Sequence, residues 1–110
     1  MLVGIAAVPG AASAHATLVS SEPAPGARLA SPPPSVRLVF SAPVEDAFLT
    51  VRVRNPDWRV VSGAPRRDPS VSRAVIVPVR ATGDGPMTVQ WRVFSQDGHP
   101  SGGAFRFQVG

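Results

Sequence analysis

The chain has 110 residues, of which 44% are hydrophobic and 16% charged, enough apolar content for one folded domain with a modest core. It contains no cysteine, which excludes disulfides, thiolate metal sites and a cysteine nucleophile. All eleven basic residues are arginine and the net charge is +4, but the arginines are scattered apart from the pair Arg66-Arg67, so no nucleic-acid partner is expected.

Met1 to Ala14 reads MLVGIAAVPGAASA, an apolar stretch closing on the small-x-small pattern Ala12-Ser13-Ala14. It is too short to span a bilayer as a helix and is expected to be a cleaved signal peptide. Its start is atypical, because no basic residue precedes His15. Export would place the domain in the periplasm or outside the cell. Cleavage after Ala14 would make His15 the first residue of the domain spanning 15–110. An N-terminal His offers its free α-amine and its ring Nδ1 to one metal, closing a six-membered chelate. An internal His cannot do so, because its backbone nitrogen is a planar amide.

Beyond the leader, period-two alternation marks strands and no segment sustains a helical period. A first strand is expected near Thr17 to Ser21. Ser35 to Ser41 places Val36, Leu38 and Phe40 on one face, and Phe48 to Arg54 does the same with Leu49, Val51 and Val53. A short strand is expected near Arg59 to Ser62, followed by an exposed polar loop from Gly63 to Ser72. Arg73 to Val79 is β-branched, and Pro78 near its end suggests an edge. Thr88 to Phe94 turns Val89, Trp91 and Val93 inward, and Ala104 to Val109 alternates Phe105, Phe107 and Val109 with Arg106 and Gln108. Pro, Gly, Asn and Asp clusters separate these runs. About seven short strands with such spacing predict an all-β fold, an immunoglobulin-like (cupredoxin-like) Greek-key sandwich. The alternating arginines then become solvated strand faces.

One constellation carries chemistry. Only two histidines are present, His15 and His99, and His99 lies in Ser95-Gln96-Asp97-Gly98-His99-Pro100 just after a strand. Extended backbone would put the Asp97 and His99 side chains on one side. Gly98 leaves room between them, and Pro100 biases His99 toward an extended conformation. Asp and Gly alone are ordinary loop residues. Their conjunction with a His directly behind the cleavage point makes His15, Asp97 and His99 the metal candidates. Amine and ring of His15, imidazole of His99 and carboxylate of Asp97 give three nitrogens and one oxygen, a set that suits tetragonal copper(II); tetrahedral zinc remains an alternative. Copper(I) prefers sulfur ligands, and Met87 is the sole methionine beyond Met1, at the start of a strand where packing is the ordinary role.

These residues resemble the CopC-type periplasmic copper-resistance proteins. The run from His15 through Glu22-Pro23-Ala24-Pro25-Gly26 is similar to that family's mature N-terminus. Val36 to Glu45 is similar to its second strand and turn. Trp91 to Gly103, with Phe105 to Val109, is similar to its metal-loop signature. The resemblance implies copper(II) held by His15, Asp97 and His99 at the N-terminal end of the barrel-sandwich. It implies a role in copper homeostasis, resistance or delivery, with a membrane copper permease or a secreted copper enzyme as partner, and a monomer. Two departures stand out: 56–72 lacks the Met-rich segment that some members use for copper(I), and Ala42 stands where some carry Glu. The chain therefore resembles a copper(II)-only branch. No enzymatic role is expected. The competing readings are a metal-free immunoglobulin-like adhesion or spacer domain and a small copper-brace oxidase.

Overall fold

A computed structural model describes residues 15–110, so the expected signal peptide at 1–14 and its cleavage lie outside the described residues. The strands are β1 Leu18–Glu22, β2 Arg28–Leu29, β3 Ser35–Phe40, β4 Thr50–Arg54, β5 Arg66–Asp68, β6 Val71–Pro78, β7 Gly85–Phe94 and β8 Pro100–Val109. They form two four-stranded sheets, ordered β1-β3-β6-β5 and β2-β8-β7-β4. Every pairing is antiparallel except β2 with β8, which is parallel. The chain passes from one sheet to the other at each connection except the β5–β6 and β7–β8 hairpins.

The alternation that predicted the strands also builds the core. Val36, Leu38 and Phe40 from β3 and Val75 and Val77 from β6 face Val51 and Val53 from β4, Met87, Val89 and Val93 from β7, and Phe107 and Val109 from β8. Each such side chain contributes on the order of 1.5–3 kcal/mol when fully buried. Trp91 is half-buried and meets Phe40 edge-on, with ring centroids 5.3 Å apart. Met87 is a core residue with no exposed surface.

Four expectations need correction. The described residues hold eight strands rather than about seven. The polar loop 63–72 contains β5, whose backbone pairs with β6 although its side chains show no apolar alternation. The strand expected at Arg59 to Ser62 is reduced to isolated bridges, Val60 to Arg54 and Ser62 to Val79. Pro78 does not mark an edge strand, since β6 lies between β3 and β5. It is the last residue of β6, beyond the final β5 pair Arg66↔Ile76, where its missing N–H removes little of the ladder.

One end of the sandwich gathers the predicted metal candidates. β1 begins opposite the end of β3, with Leu18 facing Phe40, and β7 ends where β8 begins, with Phe94 facing Pro100. The N-terminal residues of the domain and the β7–β8 loop therefore meet at the same end.

Candidate metal centre

His15 is exposed but its neighbours are anchored. Ala16 is fully buried in the core. The Ser41 hydroxyl, just past β3, donates to the His15 carbonyl at 3.2 Å and accepts from the Thr17 N–H at 3.0 Å. The Ser41 N–H donates to the Thr17 carbonyl at 2.8 Å. Ser41 thus fixes where the His15 side chain starts, and the His15 ring lies 4.8 Å, centroid to centroid, from that of His99.

Asp97 and His99 meet through a turn, not through extended backbone. The Gly98 N–H donates to the Ser95 carbonyl at 2.9 Å, and the Ser95 N–H donates to the His99 carbonyl at 3.0 Å. Gly98 sits at φ +88°, a left-handed conformation that glycine adopts without a Cβ penalty. The result is a three-residue hairpin loop with a left-handed glycine at its third position.

Ser95 organises this loop. It is 2% exposed, its hydroxyl donates to Asp97 Oδ1, and the same oxygen accepts the His99 N–H at 3.3 Å. Asp97 Oδ2 lies 3.0 Å from His99 Nδ1. The Ser95 hydroxyl first, and His99 second, hold the Asp97 carboxyl down at about 2, so it is a carboxylate at any ordinary pH. With Nδ1 turned to Asp97, the His99 ring leaves Nε2 as the nitrogen with a free lone pair.

The three predicted residues are therefore gathered at one end, but they do not yet converge on a point. Among the described residues no group of three His, Asp or Glu side chains is arranged to hold a metal ion. Asp97 faces His99, while the His15 ring is tilted by 58° to that of His99. Within the chain the His15 nitrogen is the amide of the Ala14–His15 bond. Ser41 and Ser95, which hold the candidate residues in place, were not singled out by sequence reasoning. The Ser-x-Asp spacing of Ser95 and Asp97, a side-chain turn pattern, could have flagged the second.

A family profile described as the CopC domain matches residues 18–110. The chain belongs to the CopC family. Among curated relatives, Protein YobA of Escherichia coli (strain K12) is 33% identical over 98 residues, covering 87% of this chain and 79% of that protein. The copper transport protein CutJ of Bacillus subtilis (strain 168) is 29% identical and aligns with all of this chain, which spans only 21% of CutJ. Among solved structures, CopC from Methylosinus trichosporium OB3b superposes with a TM-score of 0.81 at 26% identity, over 86% of this chain and 93% of that one. PcoC, a methionine-rich copper resistance protein from Escherichia coli, reaches a TM-score of 0.76 at 24% identity, over 88% of this chain and all of its own, which bears on the fold alone.

Proposed function

We propose that this CopC-family domain binds one copper(II) ion outside the cytoplasm, for copper homeostasis, resistance or delivery, through His15, Asp97 and His99. Membership of the CopC family, with a relative named for copper transport, supports the metal. The observation that carries the site is the meeting of the two imidazoles, 4.8 Å apart, with a carboxylate 3.0 Å from one of them at an exposed sandwich end. Two imidazoles and a carboxylate are nitrogen and oxygen donors that suit copper(II), and among the described residues the sole thioether, Met87, is buried in the core. Signal-peptide removal after Ala14 would add the His15 amine as a fourth donor. The domain acts as a carrier rather than an enzyme. It works as a monomer that exchanges copper with a membrane permease or a secreted copper enzyme.

The 3.0 Å contact between Asp97 and His99 favours a second reading of one residue, in which Asp97 orients His99 from outside the coordination shell. Asp97→Asn separates the two, because an amide oxygen can still accept from His99 Nδ1 but is a poor copper ligand. A large loss of affinity supports direct ligation, and near-parental affinity supports the orienting role.

The direct test uses a chain beginning at His15, which retains the whole core cluster from Ala16 to Val109. Copper(II) titration followed by electron paramagnetic resonance should give one equivalent bound with a nitrogen-rich tetragonal spectrum. Absence of stoichiometric uptake would overturn the proposal in favour of a metal-free adhesion or spacer domain. Reductant-dependent oxidation of a polysaccharide by the loaded protein would overturn the carrier role in favour of an oxidase.

A further inference from the structure

The two sheets differ sharply in charge. No strand position of β2, β4, β7 or β8 is an Asp or Glu, whereas the opposite sheet carries Glu22 and Asp68. Outward positions of the carboxylate-free sheet hold Arg28, Arg52, Arg54, Arg92 and Arg106, alternating with buried Val51, Val53, Val93 and Phe107. The register spreads them over the face: Arg52 lies opposite Gln90, Arg92 opposite Thr50, Arg106 and Arg54 flank Thr88, and Arg28 lies beside Gln108.

Three of the four arginines of the other sheet are engaged by the protein itself, and among the described residues only the Arg66 guanidinium there has no acceptor. Arg37 pairs with Asp68 at 2.7 Å, and Arg67 and Arg73 donate to the Val44 and Phe40 carbonyls. On the carboxylate-free sheet, Arg28 and Arg54 donate only to neutral acceptors, the Gly110 carbonyl, Gln90 Oε1 and the Trp58 carbonyl. Among the described residues Arg52, Arg92 and Arg106 have no hydrogen-bond acceptor from the protein.

Apolar side chains border the same face. Phe48, Trp58 and Val60 are 78%, 53% and 46% exposed and lie just before and just after β4, the sheet's edge strand. Phe48 packs against the outward-facing Phe94, with centroids 6.0 Å apart, and the Arg92 guanidinium covers that Phe94 ring. Arg54 covers Trp58 at 5.2 Å. Phe48 and Trp58 both have positive φ, 62° and 66°, which bulky residues rarely adopt. Both aromatics are displayed to solvent at a backbone cost, a combination that clusters at functional sites.

We propose that this sheet face seats on an anionic phospholipid bilayer. The guanidiniums meet lipid phosphates, and Phe48, Trp58 and Val60 enter the headgroup layer. Exposed apolar groups bordering a field of arginines match the two attractions that hold a peripheral protein on such a surface. A single-stranded nucleic acid would stack its bases on open rings, whereas guanidiniums already cover Phe94 and Trp58 here.

The test is co-sedimentation of the full chain with phosphatidylcholine vesicles, with and without phosphatidylglycerol. The neutral vesicles measure what residues 1–14 contribute. Binding should require phosphatidylglycerol and should vanish between about 0.1 M and about 1 M salt, as the screening length falls from about 10 Å to about 3 Å. The triple variant Arg52→Ser, Arg92→Ser, Arg106→Ser should weaken it about 100-fold, near fivefold per guanidinium. Circular dichroism confirms that this variant is folded, and Arg66→Ser on the other sheet should bind like the parent. Equal binding to both vesicle types, or a triple variant that binds like the parent, overturns the proposal. So does a Phe48→Ser, Trp58→Ser variant that keeps full vesicle affinity while polyglutamate or duplex DNA competes, which would point to an acidic macromolecule instead.

Discussion

The Ser95 hydroxyl donates to Asp97 and accepts from the His99 backbone, so one buried group sets two candidate ligands at once. Ser95→Ala should raise the Asp97 carboxyl from about 2 toward its ordinary 3.8, read by carbon NMR of the carboxyl through an acid titration. The same variant should lower copper affinity without unfolding the domain. His99→Ala should reduce copper affinity by at least about tenfold, the loss that removal of even an outer-shell partner causes, with the thermal transition retained. Away from the site, Arg37 holds the Asp68 carboxyl below its ordinary 3.8. The folded state prefers this carboxylate, so its contribution is complete above that value and disappears as pH falls through the depressed one. The stability gap between the parent and Asp68→Asn should therefore be full above about pH 5 and shrink as pH falls below the ordinary 3.8, followed by thermal melts. Copper(II) affinity should also weaken on acidification, because protons compete for the nitrogen donors, as competition with a chelator at neutral and mildly acidic pH would read.

At the scale of elements, legibility followed side-chain patterning. β3, β4, β7 and β8 alternate apolar and polar residues around a two-sided environment, and each was readable in advance. β5 was not, because Arg66, Arg67 and Asp68 join the sheet through backbone pairing, while the Arg67 side chain binds the Val44 carbonyl and the Asp68 side chain binds Arg37 and the Ser70 N–H. β2 is two residues long, shorter than any period can register. Nothing in the apolar run Val60-Val61 announced that Trp58 would take a positive φ and cut the strand to single bridges. The Asp97–His99 pair was readable from spacing, although a left-handed Gly98 rather than extended backbone brings it together. The role of Ser95 was hidden by its being an ordinary loop residue. One glycine further along tests the sheet itself. Gly85 opens β7 at φ +118°, and a Cβ there would lie 2.6 Å from Pro56 Cγ. Gly85→Ala should destabilise the domain by about 1–3 kcal/mol in urea unfolding, through strain and overpacking together.

At the scale of the molecule, the nearness of His15 to His99 joins the start of the described chain to its last hairpin. No strand pattern predicts that meeting; the leader reading and the family resemblance did. A chain that keeps Met1 to Ala14 retains both imidazoles and Asp97 but has an amide at His15. It should bind copper(II) at least about tenfold more weakly than the chain starting at His15, measured by competition with a chelator. The arginine distribution is also a whole-molecule property, since counting charges along the sequence could not say which sheet would receive them.

The β7–β8 hairpin pairs ten consecutive residues, from Gly85↔Val109 to Phe94↔Pro100. Its loop therefore belongs to a ribbon that needs only neighbouring chain to form, whereas the meeting of His15 with His99 joins the two ends of the domain. Contacts between near neighbours close early in folding, and those across long stretches close late. Seen in time, the Asp97–His99 half of the site is ready first and the His15 half arrives last. Copper(II) capture in a refolding experiment would then work as a clock, starting only when the two ends of the domain have found each other.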